Sequence, residues 1–365
     1  MKNNEMSENK RKLKRFLESK IMTTSLVAKW MPRPNVGNRE KKRWASVLRK
    51  HLGLDPKAYR KMLVGHTNVV EQLMCSKEFG AIQYGKIPSK AMSDYMKAFG
   101  RNDYERFSAY LNAVDKGEDK INAGAVYPYD IVKNMSMGSA AGADTQWNAL
   151  PNYMEGNQER LLPMVDVSGS MQCPAGNNPN VTCMNVAISL GLYISERNEG
   201  VFKDAFITFT NRPTLQVVKG TLSERYRQMQ GVVGYDTNLE AAFRMVLEKA
   251  VASNVSADEM PTMILVLSDM EFNDGNVKGL KNKTAQQMIS TLYEDAGYTM
   301  PKLVYWNIQS RNGNNNPVQF NESNTCLVSG FSPALLTNLL GGKDMSPYSM
   351  MMSVIGSERY APVTI

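Results

Sequence analysis

The chain has 365 residues, 42% of them apolar and 8% aromatic, with 43 Lys/Arg against 35 Asp/Glu for a formal charge of +8. At roughly 100–200 residues per domain this length favours two domains, and the composition excludes bulk disorder, a collagen-like repeat and a coiled-coil rod. No apolar run approaches the roughly 20 residues of a bilayer span, which excludes an integral helical membrane protein.

The charge is concentrated at one end. Residues 1–65 hold 18 Lys/Arg against 5 Asp/Glu, a balance of +13, whereas residues 66–150 balance at −1 and residues 151–365 at −4. A concentrated basic region attracts polyanions through counterion release, so nucleic acid is the partner to expect there, the alternative being a solvated basic face with no particular ligand. The first residues, MKNNEMSENKRKLKRF, carry positive charge without an apolar stretch, and Glu5, Glu8 and Glu18 oppose a transit peptide, so a cytoplasmic location is expected. The four cysteines, Cys75, Cys173, Cys183 and Cys326, are too few and too scattered for a disulfide framework, so reduced thiols are expected; none forms a C-x-x-C pair and the histidines are only His51 and His66, which disfavours a structural zinc site.

Taken in chain order, Lys10 to about Pro128 reads as helical, with apolar residues at three- and four-residue spacing. Asn38 precedes a helix at Arg39–Leu52 and Gly53 follows it; Asp55 and Pro56 open a second at Lys57–Val64, as an N-cap followed by proline in the first turn does. Asn102 and Glu105 have the spacing of a capping box before Arg106–Val114, closed by Gly117. Within this half, Arg39, Lys42, Arg43, Arg49 and Lys50 are grouped on one helix and Lys57, Arg60 and Lys61 on the next, interleaved with Trp30, Trp44 and Tyr59. Basic residues beside aromatic planes are what single-stranded RNA binding uses. Trp44 and Tyr59 are nevertheless expected in the cores of their helices.

The Gly/Ala/Ser-rich stretch Met137–Asp144 marks a linker, and the pattern then changes. Strands are expected at Leu161–Val167, Ala205–Phe209, Met263–Leu267, Leu303–Trp306 and Cys326–Val328. Helices are expected at Met184–Arg197, Leu239–Ala250, Thr284–Asp295 and Pro333–Leu340. Alternation of all-apolar strands with helices implies a doubly wound, mostly parallel sheet covered on both faces, the Rossmann-like α/β class, following an all-helical, repeat-like domain. The expected partition is 1–136 for the basic helical domain, 137–159 for linker and lead-in, 160–342 for the α/β domain and 343–365 for a C-terminal segment.

Ligands of such sheets sit at the carboxyl ends of the strands. Three turns there carry oxygen: Asp166-Val-Ser168-Gly-Ser170 after the first strand, Asp236-Thr237-Asn238 before a helix, and Ser268-Asp269 after the strand Met263–Leu267. Asp166, Ser168, Ser170, Thr237 and Asp269 together offer three hydroxyls and two carboxylates, a set that selects a hard cation, Mg²⁺ or Mn²⁺, over zinc or copper. With the neutral hydroxyls as direct ligands, the cation stays electrophilic enough to accept an external carboxylate or phosphate. The alternative is that Ser168, Ser170 and Thr237 only cap helices.

These residues resemble the metal-ion-dependent adhesion site of a von Willebrand factor A domain over about Arg160–Gly342. The resemblance implies that the serines and the threonine contact the ion, that the aspartates act through water, and that a partner's acidic group completes the shell. Ser25–Pro32, Lys120–Pro128, Leu267–Phe272 and Leu327–Ser332 resemble the family known as domain of unknown function DUF2828. That architecture is remotely similar to the Ro autoantigen (TROVE) proteins, which implies RNA binding by the helical half. The Met171–Thr182 loop departs from the A-domain pattern in its length and its Asn, Pro and Gly content.

No catalytic set is present: no phosphate-binding glycine loop occurs, and neither histidine lies near a nucleophile in sequence. The expectation is therefore a non-enzymatic protein that binds RNA through its basic helices and a divalent cation with an acidic or phosphate ligand through its sheet edge. The alternatives are a metal-dependent protein-interaction adaptor without nucleic acid, a structural component that oligomerises, or a hydrolase in which a metal-activated water is the nucleophile.

Overall fold

The computed structural model describes residues 25–35, 37–67, 69–138, 142–156, 159–176, 178–232, 238–270, 283–309, 325–333 and 335–341, with short pieces between 348 and 360. The chain divides into a unit of residues 1–83 and a unit of residues 84–365.

The first unit is helical, with α1 (Ser25–Trp30), α2 (Arg39–Leu52), α3 (Pro56–His66) and α4 (Val70–Cys75). Its boundaries follow the local chemistry. The Asn38 side chain accepts from the Lys41 N–H at 3.0 Å and starts α2, and Gly53, in the left-handed region at φ 71°, ends it. Asp55 accepts from the N–H groups of Lys57 at 2.8 Å and Ala58 at 2.9 Å, with Pro56 in the first turn of α3. Ala28, Ala45, Leu52, Tyr59 and Leu63 bury together to form the core, and the Tyr59 hydroxyl donates to the Pro32 carbonyl at 3.1 Å.

The second unit begins with α5 (Ser89–Asn102), α6 (Tyr104–Asp115), α7 (Pro128–Ser136) and α8 (Ala143–Asn148). Asn102 is not the N-cap expected from the sequence. It is the last residue of α5, where its amide donates to the Ala98 carbonyl at 2.7 Å, and Asp103 occupies the junction with α6.

The sheet follows as β1 (Leu161–Val165), then a hairpin β2 (Pro174–Ala175) and β3 (Asn178–Thr182), α9 (Cys183–Arg197), β4 (Ala205–Thr208), β5 (Leu215–Val217), α10 (Leu222–Gln230), α11 (Leu239–Ala252), β6 (Met263–Ser268), α12 (Lys283–Asp295), β7 (Lys302–Asn307), β8 (Thr325–Ser329) and α13 (Leu335–Gly341). The six-stranded sheet has the order β5-β4-β1-β6-β7-β8. All its pairs are parallel except β5, which runs antiparallel to β4 at one edge. This is the α-plus-α/β, doubly wound class expected from the sequence.

The all-apolar strands feed two cores by their period of two. Leu161, Val165, Leu265 and Leu267 face a cluster that includes Val132 of α7, Trp147 of α8 and much of α9. Leu162, Met164, Ile264 and Val266 face Phe243 and Val246 of α11 and Tyr293 of α12. Helix α9 runs very close to β1: a Cβ on Gly191 would lie 2.5 Å from a Val165 methyl, so only glycine fits. Among the described residues no helix is long and apolar enough to cross a membrane.

Candidate metal centre and basic helices

The carboxyl edge of the sheet is organised by the register of β1 and β6. Val165 pairs with Leu267, so Asp166 and the Ser268-Asp269 pair leave adjacent parallel strands side by side. The Asp166 N–H donates to the Leu267 carbonyl at 3.0 Å. Its carboxylate, in a residue only 2% exposed, accepts from the Ser168 N–H at 2.9 Å on one oxygen and from the Ser268 hydroxyl at 2.6 Å on the other. Asp269 is 4% exposed. Burial pushes the Asp166 carboxyl above the usual range; hydrogen bonds from Ser168 and Ser268 pull it back, and the neighbouring Asp269 charge raises it again.

Ser168 and Ser170 stand on the following turn with their hydroxyl oxygens 3.1 Å apart. Ser168 precedes the short helical turn Gly169–Gln172, yet its side chain makes no capping hydrogen bond there. The capping alternative therefore does not account for it, and its hydroxyl lies with that of Ser170. Met270, immediately after Asp269, is held in the left-handed region at φ 61°, with its N–H donating to the Ser268 hydroxyl at 3.1 Å. A methionine in that region is strained, as residues beside binding sites often are.

Four of the five residues expected from the sequence, Asp166, Ser168, Ser170 and Asp269, thus come together at one edge. Thr237 lies outside the described residues. Asn238, which follows it, donates its N–H to the Thr210 carbonyl at 3.3 Å, two residues past the end of β4, and its side chain caps α11 through the Ala241 N–H at 2.9 Å. Ser268 is the residue that sequence reasoning left out of the donor set. Its fully buried hydroxyl bridges Asp166 to the Met270 backbone, and its place before Asp269 at a strand end was the available signal.

The donor set fits a hard divalent cation. Its described oxygens are two buried carboxylates and two hydroxyls, and among the described residues no Lys or Arg forms an ion pair with Asp166. Burial disfavours the ionised form of Asp166, and a positive charge beside it would offset that cost. Among the described residues no three His, Cys, Asp or Glu side chains gather as a metal-binding group, so any ion held here depends on the serine hydroxyls as well as the carboxylates.

In the first unit, Arg39, Lys42, Arg43 and Lys50 of α2 and Lys57, Arg60 and Lys61 of α3 are exposed. Arg49 is half-buried and donates to the Leu54 carbonyl at 3.5 Å. Among the described residues none of the eight forms an ion pair. Tyr59 is fully buried, as expected, but Trp44 is not a core residue: it is 54% exposed, and Trp30 is 77% exposed. The α2 core positions are taken by Ala45 and Leu52, which turns Trp44 outward among the cations.

A family model described as domain of unknown function (DUF7788) matches residues 161–358, and one described as domain of unknown function (DUF2828) matches residues 36–162. The helical and sheet-bearing parts thus match two separate models, where the sequence reading assigned DUF2828 to both. The uncharacterized protein L728 of Acanthamoeba polyphaga mimivirus is 30% identical over 370 residues; the match covers 95% of this chain and 63% of that relative, so the chain spans under two thirds of its length. The Ro (RSR) protein of Deinococcus radiodurans superposes with a TM-score of 0.41 at 15% identity, covering 94% of this chain and 76% of that one.

Proposed function

The chain belongs to the family described as domain of unknown function DUF7788, and from its sheet edge and basic helices we propose a non-enzymatic, cytoplasmic binding protein with two sites. The sheet edge binds Mg²⁺ or Mn²⁺ in the manner of a metal-ion-dependent adhesion site, in a von Willebrand factor A-like domain spanning about 160–342. The basic helical domain, within 1–136, binds RNA. The observation that carries the reading is the buried pair Asp166 and Asp269 beside the hydroxyls of Ser168 and Ser170.

Ser168, Ser170 and Thr237 would hold the cation directly, with Asp166 and Asp269 acting through water. Neutral direct ligands leave a divalent ion electrophilic, so it supplies an open position for a carboxylate or phosphate. The chain's own residues hold the acid in place: the Ser268 hydroxyl donates to one Asp166 carboxylate oxygen and the Ser168 N–H to the other. For the RNA site, seven exposed cations on α2 and α3 would supply phosphate contacts, and the exposed rings of Trp44 on α2 and Trp30 on α1 would supply stacking planes.

Filter binding of single-stranded and structured RNA across a salt series tests the RNA site. The reading expects affinity at low salt that falls as salt rises; no affinity, or affinity indifferent to salt, refutes that part. Pull-down with chelator or with nuclease separates the sites. A protein partner lost on chelation and indifferent to nuclease would leave an adaptor without nucleic acid.

A further inference from the structure

Cys173 and Cys183 face each other across the base of the β2–β3 hairpin with their Sγ atoms 3.3 Å apart. The backbone holds them there. The Cys183 N–H donates to the Cys173 carbonyl at 2.9 Å, and the adjoining residues Pro174 and Thr182 are antiparallel partners. Residues so paired have Cα atoms about 4.5–5.5 Å apart, inside the span a disulfide bridges.

Both ends of the arrangement are anchored. On one side, the Cys173 N–H donates to the Ser170 carbonyl at 3.1 Å, with Met171 fully buried between them. On the other, Thr182 caps α9 by accepting from the Asn185 N–H at 3.1 Å. The hairpin itself rests on the turns after β7 and β8: the Gly176 N–H donates to the Gln309 side chain at 2.9 Å, and the Phe331 ring stands 3.3 Å from where a Cβ on Gly176 would be. The two sulfurs therefore meet without the chain having to rearrange around them.

From this geometry we propose that Cys173 and Cys183 are a thiol pair that oxidises to a disulfide, closing the hairpin covalently beside the Ser168–Ser170 turn. Cys173 is half-buried and Cys183 buried, so Cys173 meets the oxidant and Cys183 resolves the product. With hydrogen peroxide, the Cys173 thiolate attacks one peroxide oxygen and the O–O bond breaks. This leaves a sulfenic acid and hydroxide, which takes up the thiol proton as water. The Cys183 sulfur then attacks the sulfenic sulfur; the S–S bond forms, the S–O bond breaks, and the departing oxygen leaves as a second water with the Cys183 proton. Two thiols are oxidised and one peroxide is reduced. Burial raises the Cys326 thiol above its ordinary value, so less of it is present as the reactive thiolate.

The test uses the full reduced chain, treated with hydrogen peroxide, quenched, and alkylated under denaturing conditions for peptide mass mapping. The expected result is loss of alkylation at Cys173 and Cys183, with the tryptic peptide 161–197 that holds both appearing two hydrogens lighter than its reduced, unalkylated mass and restored by dithiothreitol. The oxidised chain should also melt several degrees higher, as closing a loop in the unfolded chain predicts, and Cys173→Ser should abolish that rise while Cys183 stays alkylatable. Two thiols that remain alkylatable after peroxide, or a link from Cys173 to Cys75 or Cys326, would overturn the proposal. The mapping is independent of cation and RNA binding, so its outcome does not depend on the proposed function.

Discussion

The Ser268 hydroxyl donates to the Asp166 carboxylate at 2.6 Å and accepts from the Met270 N–H at 3.1 Å, so one buried side chain fixes both the acid at the end of β1 and the strained turn after β6. Replacing it leaves a buried carboxylate oxygen and a backbone N–H without those bonds. Ser268→Ala should therefore destabilise the chain by about 1–3 kcal/mol in chemical denaturation, with Ser268→Thr closer to wild type. A loss within the error of the measurement would mean that the hydroxyl does not hold the carboxylate.

Gly191 sets how closely α9 approaches the strand that ends at Asp166. Since an added Cβ would meet a Val165 methyl at 2.5 Å and the Met229 sulfur at 3.2 Å, Gly191→Ala should cost roughly 1–3 kcal/mol by overpacking. Its thermal unfolding should show the loss, and unchanged stability would contradict the close approach.

The Asp55 cap gives a pH signature. The N–H groups of Ala58 and Lys57 hold its carboxyl below the ordinary value, so the folded form binds its proton less readily than the unfolded one. Its contribution is then fully present above the ordinary Asp range and is lost as pH falls through the lowered folded value. The difference in melting temperature between wild type and Asp55→Ala should be constant from neutral pH down to about 5 and shrink below about 4. A difference that grows on acidification has the wrong sign for this cap.

These sites were unequally legible in the sequence. The strands around Asp166 and Asp269 were plain because every residue between their ends is apolar, and Asn38, Gly53 and Asp55 marked helix ends by their own hydrogen-bonding and backbone preferences. Strand β5 has only the three residues Leu215–Val217, too few to carry a period. Helix α10 is mostly polar, although its Thr221–Glu224 capping box was there to be read. The exposure of Trp44 was hidden because helical spacing fixes which residues share a face, and only packing decides which face is buried.

If the α2 and α3 cations contact phosphates, the combined change Lys42→Gln, Arg43→Gln, Lys57→Gln and Arg60→Gln should weaken binding to all RNA sequences alike. It should also flatten the plot of log affinity against log salt by about 0.7 for each contact removed. Trp44→Ala should weaken single-stranded binding with little change in that slope, because stacking releases no counterions. An unaltered slope in the four-site variant would place RNA elsewhere or nowhere.

Occupancy of the sheet edge by an ion is directly measurable. Titration of the full chain with Mn²⁺, followed by electron paramagnetic resonance, should show one saturable site displaced by Mg²⁺. That site should be lost in Asp166→Ala and in Asp269→Asn while circular dichroism shows both variants folded. No saturable binding by the wild-type chain, or undiminished binding by the folded variants, would contradict it.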